Sequence, residues 1–471
     1  MAQYIASNPS LFNTDFGVWR IRNAQYNAIY YDPEVEYRPW PGVDALGNPF
    51  TDSSPAAAPV DPYVTTSATV DLTTPLPAPN HTDGDGAWRW AIAPGTNGLY
   101  LISMEGYYIP RYYVCEDAGG NAIDCPEDVD GDHARRLVEI TAGDAPFTGG
   151  PERGDCAVDD DDPTTCTYDQ EIQNFANWFT YYRRRDLAAK AATGTVIADL
   201  DGLRAGYGNL NQSGYNIGVA SMNAGTGTGN KRALLDEIYG TPRTTFGTPL
   251  LNAFDRTGRY FECASGDILG STSASAPGDA ACPVSEAPNG TCQQNYAIIV
   301  ADGFYNDTLV NTVGNTDADT AGNDFDGGAF ADPWSNTLAD ISMHYFKRDL
   351  HATDNDGDAM TDLVVISDDE KALDPTSGNP LADEEYIHQH LVTFTVGFGV
   401  DGTLTANPDD PTDSSWTPGW PDPADGDAEK IDDLRHAAYN GRGGYYSAGN
   451  PEVLSESIGE AFATIIGRVG R

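Results

Sequence analysis

Apolar residues in this chain gather into a few short runs, separated by long stretches rich in Pro, Gly, Asp and Thr. The clearest run, Tyr296-Ala297-Ile298-Ile299-Val300-Ala301, carries β-branched residues and stops at an Asp302-Gly303 turn, the signature of a buried strand. Leu391 to Gly399 reads as a second buried strand and Gly443 to Ala448 as a short last one. Residues 335–350 and 451–466 read as helices, and Leu203 to Gly208 as a strand. Earlier, Phe175, Trp178, Phe179 and Tyr182 recur at helical spacing, with Arg183, Arg184 and Arg185 in the next turn. These three arginines are expected to splay around the helix, partly solvated and paired with carboxylates. Strands alternating with helices over 168–471 predict an α/β domain, with a mostly parallel sheet, helices on both faces and the Asp302 strand at its centre.

The chain before Tyr168 has a different texture. Residues 1–50 contain Tyr30-Tyr31-Asp32-Pro33 and Tyr37-Arg38-Pro39-Trp40-Pro41, whose proline spacing forbids a long helix. They predict an extended segment that belongs to the α/β domain. Residues 51–167 alternate turn-rich stretches with short β-like runs at 87–92 and 99–102, and predict an inserted, loop-rich β subdomain.

Charge narrows the function. With 71 acidic and 26 basic side chains among 471 residues, the net charge of −45 excludes a duplex nucleic-acid binder, which needs a basic footprint, and argues against docking on anionic lipid. No stretch is long and apolar enough to span a membrane. Seven cysteines stand at 115, 125, 156, 166, 263, 282 and 292, none in a Cys-x-x-Cys pair, so a zinc reading is poor. Cys115 with Cys125 and Cys156 with Cys166 are the natural local pairs, leaving one odd thiol among the remaining three. Stapled loops point outside the cytosol. No signal peptide follows Met1, so the natural start of the protein is expected to differ from the one given.

Several residue groups invite chemistry. A carboxylate at the end of a buried strand, Asp302, followed by a polar Asn306-Asp307 pair, is placed to hold a hard cation through oxygen. Thr248, just before a helix start marked by Pro249, offers a hydroxyl to the same ion. Asp354, Asp356, Asp358 and Asp362 fall at relative positions one, three, five and nine of a calcium loop, with the Met360 carbonyl at position seven. Gly357 at position four and Val365 in place of the bidentate Glu depart from an EF-hand and suggest a shorter extracellular calcium loop, which is preferred here to a solvated acidic turn. Arg153-Gly154-Asp155 matches the tripeptide that integrins read, although a Gly-Asp turn beside Cys156 needs no ligand. No His-Glu-x-x-His, Gly-x-Ser-x-Gly or phosphate loop is present.

Taken in order, these segments carry a family resemblance. Tyr30-Tyr31-Asp32-Pro33 with Tyr37-x-Pro39-Trp40, Asn174 to Arg183, Thr248-Pro249-Leu250, Ala301-Asp302-Gly303, Phe330-Ala331-Asp332, Ser335 to Ile341 and Tyr345 to Leu350 resemble the N-terminal region of the PilY family of type IV pilus biogenesis factors and tip adhesins. The resemblance implies a von Willebrand factor A-like, Rossmann-like fold, export through the periplasm, and a place at the pilus tip or cell surface. Its implied partners are minor pilins or the tip complex and a host or abiotic surface. Thr248 and Asp302 would be two elements of an adhesion-site metal centre, holding Mg2+ or Ca2+. The third element, Asp-x-Ser-x-Ser, is not in this chain, so the sequence is expected to be a fragment lacking that loop and the family's C-terminal β-propeller. Two functions of different class follow: a non-catalytic adhesin and pilus assembly or retraction module with divalent-cation support, or a secreted hydrolase or metal-dependent catalytic subunit on the same scaffold. Calcium at the Asp354–Asp362 loop is the ion expected first.

Overall fold

The computed structural model describes residues 22–73, 89–92, 99–102, 110–117, 122–125, 134–151, 153–159, 162–211, 216–222, 225, 228–242, 247–301, 304–319, 325–365, 386–404 and 419–469. The chain divides into two compact units, Met1–Thr195 and Val196–Arg471.

The first unit is organised by helix α1 (Tyr168–Tyr181). Thr167 starts it with a capping box: its hydroxyl accepts from the Gln170 N–H while the Gln170 side chain reaches back to the Thr167 N–H. Phe175, Ala176, Trp178 and Phe179 are buried in one cluster with Tyr30, Tyr31, Val70 and Tyr112. The polar residues of the helix are buried too, because they bond the main chain of the Pro-spaced segment. The Asn174 Oδ1 accepts from the Tyr37 N–H at 2.7 Å and its Nδ2 donates to the Val35 carbonyl at 2.8 Å. The Asn177 Nδ2 donates to the Tyr37 carbonyl at 2.8 Å, and its Oδ1 accepts from the Ser53 N–H at 2.8 Å. The Trp178 Nε1 donates to the Ile29 carbonyl at 3.0 Å. A segment interrupted by prolines cannot form a regular ladder, so side chains satisfy its backbone groups instead.

This packing revises the domain boundary read from the sequence. Helix α1 and the 22–72 segment form one core, whereas the sequence reading placed residues 1–50 and α1 with the α/β domain and 51–167 in an insertion. Helical spacing reveals that α1 has an apolar face but not what covers it. Both local cysteine pairs are bonded, Cys115–Cys125 and Cys156–Cys166. Of the three arginines, Arg184 pairs with Asp186 at 2.9 Å. Arg183 is instead buried, with its guanidinium 4.3 Å from the Phe179 ring centre and bonded to the Val60 carbonyl at 2.7 Å. Helix α2 (Arg185–Asp199) follows directly.

The second unit opens with an antiparallel pair, β1 (Arg204–Tyr207) and β2 (Ile217–Ser221), then helices α3 (Gly229–Gly240) and α4 (Leu250–Phe261). Strands β3 (Asn295–Ala301), β4 (Leu391–Phe398) and β5 (Arg442–Ala448) form a three-stranded parallel sheet in the order β3-β4-β5. Helices α5 (Leu338–Phe346), α6 (Asp427–Asn440) and α7 (Pro451–Val469) complete the unit. Alternation along β3 sends Ala297, Ile299 and Ala301 into a core with Leu250, Leu338, Ile341 and Leu434. Tyr296 and Ile298 pack on the other face against the core of Phe346, Phe394, Ala461 and Ile465. The central strand is β4, buried along its whole length; β3 stands at an edge, and no strand pairs with its outer side among the described residues. The position expected for the Asp302 strand is therefore taken by β4, whose unbroken apolar and Thr content suits burial on both faces. A third disulfide joins Cys263 to Cys282, and Cys292 is a free, exposed thiol.

One buried ion pair gives the first unit a sharp test. The Arg153 side chain is fully buried, 2.9 Å from the equally buried Glu171 carboxylate, which also accepts from the Tyr31 hydroxyl at 2.8 Å. Removing the cation leaves a buried carboxylate uncompensated, so Arg153→Ala is expected to lower stability by about 3–5 kcal/mol. The double variant Arg153→Ala/Glu171→Gln should recover part of that loss in denaturant unfolding. A cost for the single variant within measurement error, or no recovery in the double, would refute the coupling.

Candidate functional site

Strand β3 ends at Ala301, and the next two residues, Asp302 and Gly303, lie outside the described residues. The loop that follows is latched to the start of α4. The Thr248 N–H donates to the Asn306 Oδ1 at 2.9 Å, and the Asn306 N–H returns to the Thr248 carbonyl at 3.2 Å. Asp307 accepts from the N–H groups of Leu251 at 3.3 Å and Asn252 at 3.0 Å, capping a helix whose first N–H groups lack partners of their own. Gly247 makes the approach possible: it has φ of 44°, and a Cβ there would stand 2.8 Å from the Asn306 Oδ1. Thr248 is thus held beside the loop that leaves Asp302, while Asn306 and Asp307 serve as a latch and a helix cap.

The acidic loop at 354–362 is a tight turn organised by one carboxylate. The Asp354 Oδ1 accepts from the N–H groups of Asp356 at 3.1 Å and Asp358 at 2.8 Å, and its Oδ2 accepts from Ala287 at 3.0 Å. The Met360 side chain is buried with Cys263, Cys282 and Val284. Asp356, Asp358 and Asp362 are exposed, and these carboxylates do not converge to within ligand distance of one another. Arg153 of the Arg-Gly-Asp tripeptide is also committed inward. Its guanidinium binds both oxygens of Asp155, at 2.8 and 2.9 Å, as well as Glu171. That tripeptide is therefore a structural turn, because the arginine a receptor would need is buried against its own aspartate.

The described residues do bring together a group that no metal-ligand spacing in the sequence singled out, although Asp332 lies in one of the segments of the family resemblance. Asp317, Asp332 and His436 lie fully buried with ligand-type atoms within 4.8 Å of one another. His436 projects from α6, one turn before Asn440 and three residues after Asp433, so one face of this helix turns polar side chains inward. Burial pushes the Asp317 carboxyl up to about 7, although His436 pulls it down. It likewise raises Asp332 to about 6. Asp433 caps α5, accepting from the N–H groups of Leu338 at 2.9 Å and Ala339 at 3.1 Å and from the Tyr305 hydroxyl at 2.6 Å. Spacing could have flagged Asp433, His436 and Asn440 as one helical face. Asp317 and Asp332 come from a long loop whose path no periodicity reveals.

Known proteins carry the same succession of segments. The chain is 26% identical over 485 residues to the type IV pilus biogenesis factor PilY1 of Pseudomonas aeruginosa strain UCBPP-PA14, an alignment covering 95% of this chain and 35% of that protein. It is 30% identical over 329 residues to PilY1 of strain PAO1, covering 64% of this chain and 26% of the relative. The PAK protein of the same name is 29% identical over 325 residues. The chain is thus similar over most of its length to the PilY1 type IV pilus biogenesis factors. It spans about a quarter to a third of the length of these curated relatives. No family model matches the chain, and no solved structure matches it significantly. Among the described residues no helix is long and apolar enough to cross a membrane.

Two predictions follow from these geometries. Asp354→Ala, which removes the acceptor of three backbone N–H groups, should lower the melting temperature by a few degrees without calcium, whereas Asp356→Ala should leave it unchanged. Equal effects of the two would contradict the assignment of Asp354 as the organiser of the turn. The second concerns Asp433, whose carboxyl burial raises to about 6, despite the Tyr305 hydroxyl and two N–H groups that favour its charged form. A folded pKa above the unfolded value of about 3.9 means that the native state holds the proton longer. The resulting stabilisation is complete below about pH 4 and is lost as pH rises through about 6. Asp433→Asn should therefore flatten the fall of stability across this window, by on the order of 2–3 kcal/mol in urea unfolding. Parallel pH profiles for variant and parent would refute the shift.

Proposed function

We propose that this chain is a non-catalytic module of a pilus biogenesis factor, exported to the cell surface or pilus tip, where it supports pilus assembly and adhesion. The observation that carries this reading is the similarity to PilY1 across 95% of the chain. On this proposal the second unit is a von Willebrand factor A-like domain. Its parallel β3-β4-β5 sheet, with apolar cores on both faces, is compatible with that scaffold. Thr248 and Asp302 are then the expected ligands of Mg2+ or Ca2+, and the loop of Asp354, Asp356, Asp358, Met360 and Asp362, whose exposed carboxylates would have to draw together around the ion, is the expected calcium site. Minor pilins or the tip complex are the partners on one side, and a host or abiotic surface on the other. Strong acidity suits a divalent-cation-supported contact better than one with nucleic acid or anionic lipid.

The test is a graft. In Pseudomonas aeruginosa lacking its own PilY1, the matching region of the relative is replaced by this chain, and surface pili, twitching and attachment are measured. The expected outcome is restored piliation, with attachment lost in a chelator and regained on adding calcium or magnesium. A chimera that is stable and exported yet leaves the cells without pili would overturn the proposal.

A further inference from the structure

The buried group formed by Asp317, Asp332 and His436 does not take part in the strand-end site or in the acidic loop, and its hydrogen bonding is incomplete in an informative way. The His436 Nε2 lies 2.7 Å from the Phe330 carbonyl oxygen. A carbonyl only accepts, so Nε2 carries the proton and the lone pair of the neutral ring is on Nδ1. That nitrogen faces the Asp332 Oδ2 at 3.4 Å. Two acceptors therefore oppose each other in a site where His436 is 1% exposed and Asp332 6%. Their contact is repulsive unless something positive lies between them. The Asp317 Oδ2 stands 3.5 Å from the His436 Nε2, on the protonated side of the ring, and receives the Asn440 Nδ2 at 2.9 Å, while the Asn440 Oδ1 is buried with no donor. Among the described residues no lysine or arginine pairs with Asp317 or Asp332.

We propose that Asp317, Asp332 and the Nδ1 of His436 form an internal site for a divalent transition metal of the Zn2+ or Mn2+ class. Ligand chemistry sets the class. Two carboxylates with one imidazole suit zinc or manganese, whereas a calcium site is built from oxygen alone. The nitrogen–oxygen separation of 3.4 Å is close to the distance between two ligands on a tetrahedral ion with bonds of about 2.0–2.1 Å. The rest of the ring is already held. Its Nε2–H is fixed on the Phe330 carbonyl, the arrangement that orients a ligating imidazole through its second nitrogen. Trp420 stacks on it at 3.9 Å and 7°, and is itself anchored by its Nε1 on the Ala329 carbonyl at 2.9 Å. The ion would tie the loop carrying Asp317 and Asp332 to α6, replacing opposed acceptors with coordinate bonds. The role is structural: the site is closed and offers no approach for a substrate.

The full 471-residue chain, dialysed against EDTA, is titrated with Zn2+, Mn2+ and Co2+ while metal content, visible absorption and melting temperature are followed. The expected result is stoichiometric uptake, cobalt d–d bands, and a melting temperature raised by roughly 5 °C at a hundred-fold excess over Kd. His436→Gln and Asp332→Asn should abolish all three, while Asp356→Ala in the exposed loop keeps them. Near-UV circular dichroism confirms that each variant is folded, and should the His436 variant not fold, Asp332→Asn and the parent chain decide. A parent chain that takes up none of these metals and shows no thermal shift overturns the proposal and leaves a shared proton between Asp332 and His436. Uptake undiminished in folded Asp332→Asn overturns it as well, since the free Cys292 thiol or surface carboxylates would then hold the ion.

Discussion

The parallel pairing of β3 with β4 joins residues 96 positions apart, in register from Asn295 opposite Leu391 to Ala301 opposite Gly397. Every other placement in the second unit follows from it. Once the two strands are side by side, β3 divides its residues between two faces, and each face recruits its own helices. The loop leaving β3 then runs across the start of α4, where Asn306 and Asp307 fasten it, and onward to meet α6. Parallel strands cannot be joined by a tight turn, so the long connections are a requirement of the topology. These connections carry Asp317, Asp332, Asp354 and the other residues that give the unit its chemistry.

By charge alone, a chain with 45 more negative than positive side chains is ill suited to burying carboxylates, yet it buries many. The reason lies in what they bond. Asp433 accepts from a helix N-terminus, as the half-buried Asp307 does at another, Asp340 completes a capping box with Thr337, and Asp354 gathers the N–H groups of a turn. Each satisfies backbone donors that an α/β unit with long loops leaves without carbonyl partners. Cations play the smaller part inside the protein: Arg153 with Glu171 in the first unit is an ion pair buried on both sides. Asp332 differs from the other buried acids in facing the imidazole lone pair of His436 as well as a backbone donor, with Asp317 against the same ring, and that difference sets the group apart as a site.

Legibility in the sequence tracked the range of the interaction. Strands β3, β4 and β5 and helix α7 were readable because alternation and helical spacing are local properties of the chain. Both short disulfides were readable for the same reason, since ten residues of turn-rich sequence bring their partners together. The resemblance to the PilY family was readable because its segments keep their order. Which strand is central was not readable, since β3 and β4 are equally apolar and only pairing distinguishes them. Nor was the company kept by α1, whose Asn174 and Asn177 look like solvent-facing residues until the 29–53 segment is laid across them. The acidic loop shows a part that spacing does not reveal: Asp354 also gathers three backbone N–H groups and so shapes the turn. His436 was passed over because its two carboxylate neighbours lie about a hundred residues away in sequence.

The way α1 holds its partner also bears on how such a protein can change over evolutionary time. Asn174, Asn177 and Trp178 grip carbonyls, which every residue type supplies, and N–H groups, which every type but proline supplies. Side chains between Ile29 and Ser53 that point away from the grip are therefore open to substitution without loosening it. The gripping residues have no such freedom, because an amide or an indole replaced by an apolar group would strand buried polar atoms on the other side. Variation in this half of the molecule should thus be lopsided, free along the held segment and narrow along the helix that holds it.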